Sequence, residues 1–276
     1  MAEAVRLIYR RNMPNFKLSD VQALVLDMDG VLWKDTEPIV DLPATFQALK
    51  EKNIQYVFAT NNAMRTAEEY LVKLDSMGVK DVELWQVINS QMAVSFLLKK
   101  SYPQGGPIYV IGEKGLKKHL LSEGYYEDET DPLAVVVGLD KSITYDMLTR
   151  ATLLIRAGKR FIGTNPDKTY PVPAGLIPGA GAIITTVAVS TDVEPEYAGK
   201  PAPTMFQLAL QRLGTAPEAT MAVGDRLETD LAGGQIAGMR TAMVLSGVAT
   251  HETIAAWNPQ PDIVTKDLAE LVKLLG

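Results

Sequence analysis

Cysteine is absent from this chain of 276 residues, which excludes disulfides, thiolate zinc sites and cysteine nucleophiles and accords with a reducing compartment. Histidine is scarce. His119 sits in a lysine-rich, helix-like segment and His251 follows a loop near the C-terminus, so both read as solvated surface residues. A histidine metal cluster or a serine triad would need more than these two. Long apolar runs are missing too: LAVVVGL from Leu133 and AIITTVAV from Ala182 fall well short of the ~20 residues a membrane crossing needs. Met1 to Arg11 lacks the apolar centre of a signal peptide. Basic excess is also lacking, with 27 Lys and Arg against 33 Asp and Glu and a formal charge of −6, which argues against a nucleic-acid partner. The expectation is a soluble, cytoplasmic protein that binds neither membrane nor nucleic acid. A small phosphorylated ligand stays open, because one divalent cation and one lysine reverse the potential locally.

What is present is a large apolar fraction, 47%, enough for one large domain or two modest ones. Short β-branched runs alternate with helix-length amphipathic segments. The runs are ALVLD (23–27), YVFAT (56–60), PIYVIG (107–112), AVVVGL (134–139), RFIGTN (160–165), TMAVGD (220–225), TAMVL (241–245) and IVT near Ile263. Helices are expected over 42–52, 66–77, 90–100, 113–123, 144–157, 203–213 and 230–237. Such alternation implies an α/β fold on a parallel sheet.

Polar residues gather where strands end: Asp27 and Asp29, then Thr60 with Asn61 and Asn62, then Asp225 with Asp230 after it. That edge of a parallel sheet is where ligands bind. In DMDG, two carboxylates one residue apart repel unless a cation or a shared proton relieves them. An EF-hand reading fails, since Leu32 and Pro38 occupy the positions of its Gly and Glu. A cap or a turn remains an alternative for these acids.

In TNNA, Thr60 supplies a hydroxyl and the N–H groups of Asn61 and Asn62, read as a helix entry, could cradle phosphate oxygens or serve as an ordinary cap. In YAGKPAP, Lys200 is framed by Gly199 and Pro201, and this is not a Walker loop, because Glu194 and Pro201 stand at two of its fixed positions. In AVGDRLETDLAGG, Asp225 ends a strand and Asp230 begins a helix.

Taken in order, DMDGVLW, TNN, GKPAP and GDRLETD resemble the four motifs of the haloacid dehalogenase (HAD) superfamily. With TNPDKTYPVPAGLIPGAGAI they resemble the subfamily of NagD-like, p-nitrophenyl phosphate and pyridoxal phosphate phosphatases. The resemblance implies a phosphatase with Asp27 as nucleophile, forming an aspartyl phosphate, and Asp29 as acid and then base. It implies Mg²⁺ held by Asp27, the main-chain carbonyl of Asp29 and Asp225, with Asp230 orienting the metal shell. Thr60, the Asn61 amide and Lys200 would spread the charge of the phosphoryl group. The second acid sets the chain apart from transport ATPases and dehalogenases, leaving a phosphatase or, as alternatives, a phosphotransferase or mutase and a non-catalytic phosphoester-binding module.

Connection lengths locate an insertion. About 30 residues separate Asp29 from Thr60, room for one helix and its turns. Roughly 137 separate Asn62 from Lys200, against about 30 for one βα unit. The expectation is a Rossmann-like core, 1–102 and 191–276, and an inserted α/β cap, 103–190, of the C2A type by resemblance. The loop from Asn165 to Pro173 would face the substrate, with Lys168 and Tyr170 touching it, and the cap would pair two copies as a homodimer.

Overall fold

The computed structural model describes residues 16–172 and 174–275; the expectations for Met1–Arg11 and for Pro173 lie outside them. The chain forms two compact units. One comprises the described residues up to Thr60, Ala67–Ile88 and the stretch from Phe206 onward; the other comprises Asn61–Thr66 and Asn89–Met205. The second therefore holds all of 103–190 together with short flanking stretches on either side.

The first unit is built on a sheet of six strands among the described residues, in the order Ile263–Thr265, Arg240–Val244, Thr220–Gly224, Ala23–Leu26, Gln55–Thr60, Val87–Asn89. Ala23–Leu26 pairs in parallel with both Thr220–Gly224 and Gln55–Thr60, so that Val25 stands opposite Ala222 on one side and Val57 on the other. Strands Ala23–Leu26, Thr220–Gly224 and Arg240–Val244 are buried at every position. Parallel strands covered on both faces read as unbroken apolar runs for this reason. Helix Leu42–Glu51 covers part of one face. Asp41 caps it by accepting from the Ala44 N–H, and it buries Leu42, Phe46 and Leu49. The Phe46 ring lies 4.8 Å from that of Tyr56 and 5.6 Å from that of Phe58. Burying a side chain of this kind contributes about 1.5–3 kcal/mol.

The second unit carries an all-parallel five-stranded sheet in the order Glu196–Tyr197, Arg160–Gly163, Ala134–Val137, Gly106–Ile111, Tyr125–Glu127. Helices Tyr145–Arg156 and Ala180–Thr191 close its core, where Ala151, Leu154, Ile155, Ile184 and Val187 meet Val135, Val137 and Phe161. Among the described residues no helix is long and apolar enough to cross a membrane.

Several expectations are corrected. Asp27 and Asp225 stand one position beyond their strands, which end at Leu26 and Gly224. The helix expected over 230–237 is a π-helical turn, Leu227–Leu231, followed by Ala232–Ile236. The apolar stretch from Ala182, where no element is expected from the sequence, belongs to helix Ala180–Thr191, whose buried Ala180, Gly181, Ile184, Val187 and Thr191 follow helical spacing; its β-branched content masks that period. NPDKTYPVP is not wholly loop, because Thr169–Val172 pairs antiparallel with Gly175–Pro178. His119 is half-buried, its Nε2 2.9 Å from Ser95 Oγ.

Candidate functional site

The strand order turns at Ala23–Leu26: strands later in the first half of the chain lie to one side, and Thr220–Gly224 with its successors to the other. Crevices beyond the C-terminal ends of two such strands are where open α/β sheets bind ligands. Asp27 leaves the first of these strands and Asp225 the second, and the Asp27 N–H donates to Val223 O at 2.9 Å. The π turn brings Asp230 back toward the same point. One carboxylate oxygen from each of Asp27, Asp225 and Asp230 lies within 4.8 Å of the others.

Asp225 and Asp230 are buried and Asp27 half-buried. Main-chain donors orient the two buried ones: the Val248 N–H donates to Asp225 Oδ2 at 2.9 Å, and the Arg226 N–H to Asp230 Oδ2 at 3.1 Å. At this spacing each pair of unit charges repels by on the order of 3 kcal/mol for an effective dielectric of ~20. Three buried or half-buried carboxylates are therefore a poor resting arrangement without a cation. Their all-oxygen donor set suits a hard divalent ion such as Mg²⁺. Gly30, at φ 87°, lies against the Asp225 carboxylate, and a Cβ there would overlap it. The residues present thus fit the ion.

Asp29 stands outside this trio. Its Oδ1 accepts from the indole Nε1 of Trp33 at 2.8 Å, and the Gly30 carbonyl beside it accepts from Ser246 Oγ at 2.7 Å. Thr60 ends its strand buried at 3% exposure.

In the second unit, Asn61 and Lys200 are paired. The Lys200 N–H donates to Asn61 Oδ1 at 2.8 Å, and Asn61 Nδ2 donates to Lys200 O at 2.9 Å. Asn61 O accepts from Asn165 Nδ2 at 2.9 Å and from Ser90 Oγ. Gly199 makes this approach possible, since a Cβ there would press on Asn61 Oδ1 and Thr164 O. Helix Ala67–Ser76 starts six positions after Asn61, so the N–H groups of Asn61 and Asn62 do not belong to its first turn; Asn62 Oδ1 instead closes a turn by accepting from the Met64 N–H. Lys168 is exposed, its carbonyl taken by the Gly179 N–H. Tyr170 is half-buried with Lys141 Nζ 5.7 Å from its ring centroid.

Sequence reasoning missed Trp33, Ser246, Val248, Ser90 and Asn165. Trp33 closes the quoted DMDGVLW and Asn165 lies in TNPDK, so both stood next to a recognised pattern; SGVA at 246–249 carries no local signal at all.

Residues 24–126 match the model of the haloacid dehalogenase-like hydrolases, and residues 197–271 a second, HAD-hydrolase-like model. The chain is 35% identical to a dihydroxyacetone phosphatase of Corynebacterium glutamicum over 89% of this chain and 88% of that one. It is also 35% identical to an acid sugar phosphatase of Staphylococcus saprophyticus, over 94% and 99% of the two chains. Among solved structures, a 4-nitrophenylphosphatase of Thermotoga maritima gives a TM-score of 0.87 at 36% identity, covering 94% of this chain and 99% of that one. NagD of E. coli K-12 gives 0.84 at 30% identity, covering 91% and 98%.

Proposed function

We propose, for a chain that belongs to the haloacid dehalogenase-like hydrolases and is a phosphatase of small phosphorylated substrates, that hydrolysis runs through an aspartyl phosphate on Asp27 beside a bound Mg²⁺. The observation that supports this reading is the meeting of Asp27, Asp225 and Asp230 at the turn of the strand order.

An Asp27 carboxylate oxygen attacks phosphorus while the ester P–O bond breaks. The leaving oxygen takes the bond's electron pair and the proton held by Asp29. Asp29, now a carboxylate, takes a proton from water as the water oxygen attacks phosphorus. The P–O bond to Asp27 then breaks, releasing phosphate and restoring the carboxylate. Asp27, Asp225 and the Asp29 carbonyl would hold the cation with Asp230 in support, and when bound it neutralises charge on the phosphoryl oxygens. Thr60, the Asn61 amide and the Lys200 ammonium would donate to those oxygens as charge spreads over them.

The names of the relatives favour a sugar or triose phosphate as substrate, with Lys168 and Tyr170 as candidate contacts for its alcohol part. A cytoplasmic location, the division into a core and a cap at 103–190, and pairing of two copies through that cap belong to the same reading.

Phosphate monoesters hydrolyse so slowly unaided that enzymes reach accelerations of ~10²¹. Asp27→Asn should abolish phosphate release from p-nitrophenyl phosphate while the protein still melts cooperatively. Wild-type turnover by a clean preparation of this variant would discard Asp27 as nucleophile.

A further inference from the structure

We propose that Trp33 is a positioning residue for Asp29, holding Oδ1 so that Oδ2 alone carries the proton in both half-reactions. This rests on Asp29 being the acid and base of the reaction.

The indole Nε1 donates to Asp29 Oδ1 at 2.8 Å. Trp33 is 0% exposed, whereas Asp29 is exposed. An exposed carboxylate turns freely about its last torsion, a broad two-fold barrier. Clamping one oxygen to a buried ring removes that freedom and presents the other oxygen in one direction, as a proton donor to a leaving group must be presented. The chain between the two residues is tight: the Gly30 N–H donates to Trp33 O and the Leu32 N–H to Met28 O, each at 2.8 Å. Asp29 and Trp33 also form an isolated β-bridge. Backbone geometry therefore holds the two residues side by side, within reach of the indole N–H.

A second contact tunes the donor. Lys73 Nζ stands 3.9 Å from the centroid of the Trp33 ring and donates to Asp35 O at 2.8 Å, which ties helix Ala67–Ser76 to the turn beyond Trp33. A cation over the indole face draws electron density from the ring and makes its N–H a better donor to a carboxylate. A buried indole N–H needs an acceptor in any fold; here the acceptor is the carboxylate two positions after Asp27, bonded at the ring's edge, with a lysine over the ring's face.

The test is leaving-group dependence under single turnover, with enzyme in excess. Nitrophenolate departs with little help from an acid, whereas the alkoxide of glycerol phosphate needs its proton delivered. Trp33→Phe keeps the ring and removes the N–H. It should slow cleavage of glycerol phosphate by about tenfold or more, change release of nitrophenolate by less than about threefold, and leave KM within about twofold. Equal losses on both substrates, no loss on either, or a change confined to KM would overturn the proposal. Lys73→Met, which leaves the ring in place, should show the same selectivity at smaller size, and serves if Trp33→Phe does not fold. A readout independent of activity is the indole N–H resonance. Asp29→Asn should move that of Trp33 and leave those of Trp85 and Trp257 in place, and an unmoved Trp33 signal counts against the contact. If Asp29→Asn itself turns over both substrates normally, the acid–base reading of Asp29 fails. If Asp29→Asn loses glycerol phosphate selectively and Trp33→Phe does not, that reading stands and this inference falls.

Discussion

Asn61 grips Lys200 by both edges of its backbone: Oδ1 accepts from the Lys200 N–H at 2.8 Å, and Nδ2 donates to the Lys200 carbonyl at 2.9 Å, across 139 positions of sequence. A side-chain amide used this way acts as a substitute strand, satisfying a donor and an acceptor that are buried with Lys200 at 3% exposure.

Asn61→Ala should therefore cost stability well beyond one ordinary hydrogen bond, since it leaves two buried backbone groups unsatisfied at about 1–3 kcal/mol each. Asn61→Asp keeps the acceptor but sets a carboxylate oxygen against the Lys200 carbonyl and against Asp167 Oδ1, to which Asn61 Nδ2 also donates at 3.2 Å, so it should be no more stable than Asn61→Ala. Urea unfolding of the three proteins checks the order, and equal midpoints for Asn61→Ala and wild type would refute the grip.

Divalent cations should raise the melting temperature of the wild-type protein, because an ion that binds only the folded state stabilises it by mass action. Asp225→Asn removes one of three mutually repelling charges. It should melt no lower than wild type in chelator and gain little from added Mg²⁺. A full Mg²⁺ response in Asp225→Asn argues that the ion sits elsewhere. EDTA should silence wild-type turnover, with Mg²⁺ restoring it.

Gly30→Ala tests the close approach at Asp225. The backbone is left-handed at φ 87° and the added Cβ would overlap the Asp225 carboxylate. A loss of about 1–3 kcal/mol is expected, accompanied by a weaker Mg²⁺-induced rise in melting temperature. Loss of stability with an undiminished metal response would separate backbone strain from any effect on the acidic trio.

High pH should undermine both units. Burial pushes the Tyr56, Tyr109, Tyr125 and Tyr197 hydroxyls above their ordinary value of 10.0, and nearby acids such as Glu129 beside Tyr109 and Glu194 beside Tyr197 add to it. Each folded value lies above the unfolded one, so the folded chain binds these protons more tightly. Their contribution to stability is whole below about pH 10 and is lost as pH rises through the folded values. Ultraviolet titration should show part of the tyrosine ionising later in the native protein than in urea. Coincident curves would contradict it.

The strands were legible because parallel, doubly covered strands spell continuous apolar runs: ALVL and TMAVG are buried throughout, and no other local pattern competes. Their boundaries shifted by a residue or two, as strand ends are set by pairing partners. Helix Ala180–Thr191 and the hairpin Thr169–Val172/Gly175–Pro178 were hidden. The first is rich in β-branched residues held helical by the core it covers, and the second depends on a pairing that crosses a turn.

For the site, the sequence alone determined the chemistry on offer: which carboxylates, which lysine, and their places just after strands or just before a helix, because residue type and local period are properties of short stretches. The tertiary structure decided who meets whom. Asp27 faces Asp225 because their strands are neighbours where the sheet order turns, Asp230 joins them through one π turn, and Trp33 reaches Asp29 because the chain folds back within a few residues. Strand order and loop closure are settled by the packing of the whole sheet, a sum over distant contacts that no window of sequence contains.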